Sequence, residues 1–171
     1  FSVAFQNRLN PSIQFTKDLL SKNKLCKIIS CSVKLVWCRY QDYYNDDWHG
    51  TWLMDGGVTN QQAIHHVDAI TWLIGEVSSA STYMTNRVNS LEAEDTMVSI
   101  LKFKNGSLGT IEATTAARPR DFEASINING TKGRVKIGGI ALNRIDSLDF
   151  LDNKNYKSTI SKYSQEVENG Y

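Results

Sequence analysis

The second half of this 171-residue chain consists of one strand-like segment after another, separated only by turn residues. Asn105-Gly106, between two of these segments, is a typical hairpin turn. The segments are 77–85, 95–104, 107–115, 122–129, 133–137 and 140–145. Because strands joined by short turns pair in antiparallel fashion, this half predicts a meander.

Two helices and one interior strand are predicted ahead of the meander. Asn10 before Pro11 is a good helix opening, and apolar spacing continues this helix to about Ser21. β-Branched and apolar residues over 27–37 predict a strand inside the sheet, and alternation over 1–5 predicts a short strand. With the second helix, the sequence predicts an α+β fold, a largely antiparallel open-faced sheet of about six strands with helices packed on one face.

Length and composition favour a single domain over residues 1–171, with 41% hydrophobic residues. The periodic pattern weakens after Asp146, so we expect 146–171 to be a poorly packed tail. The chain starts at Phe1 in the middle of a pattern, which suggests that a longer polypeptide precedes it.

The second helix lies in the stretch GGVTNQQAIHHVDAITWLIG, from Gly56 to Gly75. Thr59 followed three residues later by Gln62 predicts a capping box at the helix start, and Gly75 ends the helix. The spacing places His65 and Asp68 one turn apart, above Gln61.

A carboxylate that accepts a hydrogen bond from one imidazole nitrogen leaves the other nitrogen available for proton transfer, so His65 and Asp68 are candidate catalytic residues. The glycines at 56 and 57 would allow a ligand or another backbone to come close. From spacing alone, the more frequent outcome is that the histidines are ordinary polar positions of an amphipathic helix. A metal site is not expected, because adjacent side chains on a helix diverge by about 100° and cannot readily share one ion.

A loop rich in aromatic residues, 39–52, precedes this stretch. Tyr43 and Tyr44 offer flat stacking surfaces, and Arg39 offers a forked donor for phosphate or carboxylate, which suits a sugar or nucleotide. With Gln61 these residues are candidate substrate-binding positions. The alternative, an aromatic loop packed over the core, carries equal weight at this stage.

Charge and hydropathy exclude several classes of partner. The net charge is +1 with basic residues scattered, so neither nucleic acid nor a membrane is an expected partner. No apolar run is long enough to span a bilayer and no signal peptide is visible, which predicts a cytoplasmic protein. The three cysteines match no zinc-binding spacing.

The helix stretch, followed by EAEDTMVSILKFKNGSLGTIEATTAARPRDFEASINING, resembles the C-terminal domain of Gfo/Idh/MocA-type NAD(P)-dependent oxidoreductases. Within that family, NRLNP, RYQDYY, WHGTW and TTAARPRD are similar to the UDP-N-acetyl-2-amino-2-deoxy-glucuronate 3-dehydrogenases of bacterial surface-polysaccharide pathways. The resemblance covers nearly the whole chain.

This resemblance implies a two-part enzyme in which an N-terminal Rossmann domain binds NAD or NADP and the C-terminal domain holds the sugar nucleotide. It also implies a homodimer or homotetramer that forms through the open sheet face. The chain has neither a Gly-rich dinucleotide turn nor the Glu-Lys-Pro motif of the family, so by itself it is expected to be inactive.

The family's catalytic histidine falls on His65, and Gln61 stands where many members have Asp. Two hypotheses therefore compete. In the first, the chain is the substrate-binding and oligomerisation domain of a sugar-nucleotide dehydrogenase that oxidises the 3-hydroxyl of a UDP-acetamido-glucuronate-type substrate. In the second, it is a catalytically silent binding or assembly module that lacks the cofactor domain.

Overall fold

A nine-residue strand, Ile28–Val36 (β1), lies at the centre of a seven-stranded sheet in this computed structural model, which describes residues 4–152 and 154–165. The other strands are β2 (Val77–Thr85), β3 (Thr96–Phe103), β4 (Leu108–Thr114), β5 (Glu123–Gly130), β6 (Gly133–Gly138) and β7 (Arg144–Phe150). The α-helices are α1 (Pro11–Ser21), α2 (Ile64–Ile74) and α3 (Lys157–Lys162), and two 3₁₀ turns cover Gln6–Leu9 and Gln41–Tyr44.

The strand order is β2-β3-β4-β1-β5-β6-β7, and every neighbouring pair is antiparallel except β1 with β4. The chain leaves β1 and returns as the β2-β3-β4 meander on one side, then as the β5-β6-β7 meander on the other. A parallel neighbour requires a long crossover, and the segment carrying α2 forms part of it. β1 is therefore hydrogen-bonded on both edges, as expected for the interior strand.

One face of the sheet is covered by the helices and holds the core. Cys31, Val33 and Leu35 of β1 point into it, and their alternating neighbours point to the other face. β3 alternates in the same way, with Met97 and Phe103 buried. The expected fold class, an open-faced and mostly antiparallel sheet with helices on one side, is confirmed with seven strands in place of six.

The start of α2 differs from the sequence-based expectation. Residues 58–63 form turns, and the helix begins at Ile64 without any side-chain cap. The hydroxyl of Thr59 donates to Glu94 Oε1 (2.6 Å) on the loop before β3, so the proposed capping box is not formed. A partner distant in sequence has replaced the local one.

Gly57, the second residue of the glycine pair, allows another chain segment to come close. A Cβ at Gly57 would collide with the carboxylate and the carbonyl oxygen of Glu94, whose carbonyl accepts from the N–H of Val58 (2.9 Å). Of the two possibilities raised by the sequence, the close approach of another chain segment is therefore the one observed at Gly57.

Part of the segment expected to be a poorly packed tail contacts the core. β7 extends to Phe150 with Leu148 buried, and Tyr163, just after α3, stacks on Phe15 with ring centroids 4.3 Å apart. Residues 153 and 166–171 lie outside the described chain, as do residues 1–3 of the predicted first strand. Ala4 and Phe5 are not in a strand.

The uncovered sheet face is only partly apolar. Tyr83, Val98, Ile100 and Leu108 are 85%, 49%, 61% and 55% exposed and share this face at the β2-β3-β4 corner. Towards β5 and β6 the same face carries polar residues instead: Asn127, Asn129, Arg134 and Lys136. The apolar part of this face is therefore confined to the β2-β3-β4 side of the sheet. Among the described residues, no helix is long and apolar enough to cross a membrane.

Candidate functional site

A cavity of about 320 Å³ opens at the start of α2, where this helix meets the first 3₁₀ turn, the end of β1 and the loop before β7. Four of the residues singled out from the sequence line it together, namely Arg39, Tyr43, Gln61 and His65. The remaining lining residues are Gln6, Asn7, Trp37, Gln62, His66, Ile140 and Ala141. Separate segments thus bring convergent polar groups to one concave surface, as in ligand-binding sites.

His65 is half-buried in the wall of this cavity, with the ring of Phe5 edge-on at 6.1 Å between centroids. Its Nδ1 is buried and has no hydrogen-bond partner among the described residues. Burial lowers the pKa of His65 below its usual value, and the nearby carboxylate of Asp68 opposes that shift. The imidazole is therefore neutral near pH 7 and able to accept a proton.

Asp68 does not hydrogen-bond to His65, contrary to the sequence-based expectation. Both of its carboxylate oxygens accept from Arg8, Oδ2 from Nε at 2.8 Å and Oδ1 from Nη2 at 2.5 Å. The pair joins α2 to the 3₁₀ turn that carries Gln6 and Asn7 into the cavity. Asp68 thus positions one wall of the site and acts on His65 only through its charge.

Arg39 lies between two aromatic rings, with its guanidinium carbon 5.1 Å from the Trp37 centroid and 5.6 Å from the Tyr43 centroid. Its Nη1 donates to the carbonyl oxygen of Cys38 (2.8 Å) and to Asp121 Oδ1 (3.3 Å). Stacking and ion pairing hold the fork in one orientation at the cavity wall.

Tyr43 and Gln61 form a direct contact inside the cavity. Gln61 Nε2 donates to the Tyr43 hydroxyl at 2.8 Å. A phenol hydroxyl that accepts from an amide keeps its own hydrogen for another acceptor, so Tyr43 can donate to a bound ligand.

Tyr44, like Asp68, is a predicted site residue that does not line this cavity. Its side chain is buried and its hydroxyl donates to Thr115 Oγ1 at 2.7 Å. Burial raises the pKa of the Tyr44 phenol, and the bond to Thr115 opposes this. Of the two interpretations of the aromatic loop, Tyr43 fits ligand binding and Tyr44 fits packing over the core.

Sequence reasoning missed the contributions of Asn7, Trp37, Ile140 and His66 to the cavity. The first three lie far from the glycine-helix stretch, and only the fold brings them to it. On spacing alone, His66 is expected to be an ordinary polar position of an amphipathic helix. No local pattern distinguishes it from an ordinary buried position.

A second, more open depression of about 530 Å³ adjoins the first cavity, and both include Trp37 and Ile140 in their walls. Lys136 and Arg144 supply positive charge there, paired at 3.4 Å with Glu123 and at 3.3 Å with Asp146. Side-chain pairs at such distances on a partly exposed surface exchange partners at little cost.

No group of three or more His, Cys, Asp or Glu side chains in residues 4–152 and 154–165 is arranged to hold a metal ion. Nor do these residues form a dinucleotide cradle. The central strand β1 is followed by a loop and the 3₁₀ turn Gln41–Tyr44, whereas such a cradle needs a glycine-rich turn that leads into a helix.

Residues 13–136 match the model of the GFO/IDH/MocA C-terminal domain family. The chain belongs to this family. The GFO/IDH/MocA resemblance deduced from the sequence is thereby confirmed, and the α+β architecture agrees with it.

Two solved GFO/IDH/MocA relatives are WlbA dehydrogenases. The chain is 37% identical to WlbA from Bordetella pertussis, with a TM-score of 0.89, covering 94% of this chain and 47% of that protein. It is 36% identical to WlbA from Chromobacterium violaceum, with the same TM-score of 0.89, covering 95% and 47%. Both structures are complexes with NADH and UDP-GlcNAcA.

A more distant relative is levoglucosan dehydrogenase of Pseudarthrobacter phenanthrenivorans, 22% identical in an alignment of 167 positions that covers 78% of this chain and 40% of that protein. At this identity the likeness shows a shared fold only. The chain spans less than half the length of all three relatives.

Proposed function

We propose that this chain is the substrate-binding and oligomerisation domain of an NAD-dependent sugar-nucleotide dehydrogenase. The intact protein would oxidise the 3-hydroxyl of a UDP-acetamido-glucuronate-type substrate. The observation that carries the proposal is the convergence of His65, Arg39, Tyr43 and Gln61 on one cavity. The similarity to two WlbA dehydrogenases whose structures hold NADH and UDP-GlcNAcA supports the substrate class.

His65 is the proposed proton acceptor. Oxidation of a secondary alcohol removes a hydride from carbon and a proton from oxygen, and a neutral imidazole beside the hydroxyl can take the proton. Burial keeps His65 neutral near pH 7 by lowering its pKa, while the charge of Asp68 stabilises the imidazolium once it forms. Asp68 also fixes the cavity wall through Arg8 and is a positioning residue in this proposal.

Arg39 and Tyr43 are the proposed substrate contacts. A uronic acid carries a carboxylate, which the fork of Arg39 can bind, and the Tyr43 hydroxyl has a hydrogen free to donate to a sugar oxygen. Gln61 orients that hydroxyl. The sugar would occupy the 320 Å³ cavity, and the nucleotide portion would extend past Trp37 into the adjoining depression near Lys136.

The hydride acceptor would be held mainly by residues outside this chain, in an N-terminal nucleotide-binding domain. NAD supplies a hydride-accepting nicotinamide ring when bound, and this chain lacks the glycine-rich turn that binds the pyrophosphate. The part proposed for the present residues is to bind and orient the sugar and to accept its proton.

A substrate panel tests the proposal on the intact protein. NADH formation is followed at 340 nm on a UDP-linked acetamido uronic acid, other UDP-sugars, free hexoses and myo-inositol. We expect the acetamido uronic acid nucleotide to give the highest kcat/KM. If myo-inositol or a free hexose surpasses every UDP-sugar, the substrate assignment is wrong. Tight binding of the UDP-sugar without any NADH formation would favour the silent binding module.

The second part of the proposal is self-association through the uncovered sheet face. Tyr83, Val98, Ile100 and Leu108 are exposed apolar residues on it, and Lys34 and Glu112 on the same face lie 3.8 Å apart. Apolar area is unfavourable in water by about 25 cal/mol per Å², and a second copy presents the same self-complementary mixture of apolar and charged groups. Light scattering coupled to size-exclusion chromatography at micromolar concentration should give a dimer or a tetramer, and a monomer mass would contradict this part.

A further inference from the structure

His66 has no place in the function proposed so far, although it lines the same cavity. Its side chain is 1% exposed, and neither Nδ1 nor Nε2 has a hydrogen-bond partner among the described residues. A neutral imidazole has one N–H donor and one lone-pair acceptor, so both capacities are unused. A buried polar group without a partner costs about 1–3 kcal/mol.

The fold gives no reason for a polar residue at this position. The same buried stripe of α2 contains Ala69, Ile70 and Leu73, and an apolar side chain of similar volume would pack there without the desolvation cost. Nor do the described residues include a charged partner that would make the imidazole ionise. Burial, with a further contribution from the neighbouring His65, lowers the pKa of His66 to about 4, so it is neutral at physiological pH.

The surroundings of His66 form a polar inner wall of the cavity. Asn7 and Gln62 line the same cavity and are 7% and 6% exposed. The ring of Trp37 meets the His66 ring edge-to-face, with centroids 6.2 Å apart and an interplanar angle of 86°. Packing against Trp37 restricts the imidazole orientation, so the unused nitrogens have a defined position before any ligand arrives.

We propose that His66 is a second histidine contact to the substrate, which hydrogen-bonds through its neutral imidazole to a hydroxyl group of the bound sugar. A hydroxyl both donates and accepts, and therefore matches either tautomer, whereas a carboxylate satisfies only the N–H and an ammonium group only the lone pair. The contact determines specificity and takes no part in proton transfer, which distinguishes it from His65. The inference rests on the proposed function, since it assigns a residue to the same sugar.

Two variants of the intact protein separate this contact from a packing role. His66→Phe preserves an aromatic ring of similar size and removes both nitrogens, and His66→Gln retains a donor and an acceptor. With the UDP-linked acetamido uronic acid as substrate, we expect His66→Phe to raise KM about tenfold, the effect of one neutral hydrogen bond, with kcat changed less than about twofold. His66→Gln should recover most of the loss. A merely structural histidine predicts the same KM in both variants.

Thermal stability gives an independent measurement. Because His66→Phe removes an unpartnered polar group, its melting temperature should equal or exceed that of the wild type while its KM rises. If the melting temperature falls and KM is unchanged, the imidazole stabilises the fold and the proposal is wrong.

Imidazole ¹⁵N signals report the contact directly. In the intact protein labelled with ¹⁵N-histidine, His66→Gln identifies the signals of His66, and the same UDP-sugar is then titrated in. We expect the His66 nitrogens to shift together with those of His65. Shifts at His65 alone would leave the proposed function intact and overturn the His66 contact. The His66 contact would also be overturned if a His66 nitrogen is already hydrogen-bonded to water in the free protein and its signal does not change when the sugar is added. The absence of shifts at either histidine, together with the absence of turnover, would refute both proposals.

Discussion

Two adjacent tyrosines allow the site geometry to be tested with the same chemical change made twice. Tyr43→Phe and Tyr44→Phe each remove one hydroxyl group from the second 3₁₀ turn. The Tyr43 hydroxyl lies in the cavity and accepts from Gln61, whereas the Tyr44 hydroxyl is buried against Thr115. Tyr43→Phe should therefore weaken substrate binding, and Tyr44→Phe should lower the stability of the fold.

The stability cost follows from what each hydroxyl leaves behind. Thr115 is fully buried at 0% exposure, and loss of its 2.7 Å partner leaves a hydroxyl that water does not reach, which costs about 1–2 kcal/mol. For a protein of this size, that lowers the melting temperature by about 3–6 °C. Gln61 is only partly buried and can bind water when Tyr43 is truncated, so the free energy of unfolding should change by less than about 0.5 kcal/mol.

For KM the order of the two variants should be the opposite of their order in stability loss. Tyr43→Phe removes a donor to the sugar and should raise KM for the UDP-sugar by about five- to tenfold, because one neutral hydrogen bond is lost. Tyr44→Phe should leave KM within about twofold. Thermal unfolding by circular dichroism and steady-state kinetics on both variants suffice. The assignment of the two side chains is wrong if Tyr44→Phe raises KM more than Tyr43→Phe does. It is also wrong if Tyr43→Phe alone lowers the melting temperature.

Four further predictions concern other residues. His65→Ala should lower kcat strongly with an unchanged melting temperature, since the lost group transfers a proton; near-normal turnover would assign that step elsewhere. In the wild type, kcat/KM should rise with pH through a His65 pKa below 6.5, and Asp68→Asn should move this inflection to lower pH, because the carboxylate raises that pKa; an unchanged or higher inflection would contradict this. Ile100→Lys should reduce the mass in light scattering, whereas Leu53→Lys, at a 91% exposed position off the sheet, should not; equal masses would argue against the sheet interface. Between about pH 6.5 and 4, His66 binds a proton in the unfolded state but stays neutral in the folded state. As the pH falls through this range, the free energy of unfolding of the wild type should therefore decrease more steeply than that of His66→Phe. Parallel curves of unfolding free energy against pH would count against this.

The sequence predicted the architecture well because its signals are local. Pro11 after Asn10, the β-branched run of β1 and the Asn105-Gly106 turn each specify an element through backbone preference and alternation. The order of strands, with β1 between β4 and β5, does not follow from such signals. It depends on long-range pairing, which no short window of sequence records.

The errors at the site have the same origin. Thr59 and Asp68 were assigned the nearest partners along the chain, Gln62 and His65, but each instead bonds to a residue distant in sequence. Thr59 bonds to Glu94, 35 positions away, and Asp68 to Arg8, 60 positions away. Polar side chains in turns and helices have several partners within reach, and tertiary packing selects among them. The residue types of the site could be recognised from the sequence, but their hydrogen-bond network could not.

The two adjacent histidines could contact one ligand at two different atoms. Neighbouring residues on a helix point about 100° apart, which argues against a shared metal ion but does not prevent both from lining one cavity. His65 and His66 both line it, one half-buried and the other fully buried. Because successive helix side chains diverge, a ligand in this cavity would meet the two imidazoles from different directions. A sugar ring, with hydroxyl groups distributed around its edge, can therefore place one oxygen at His65 for proton transfer and another at His66 for recognition.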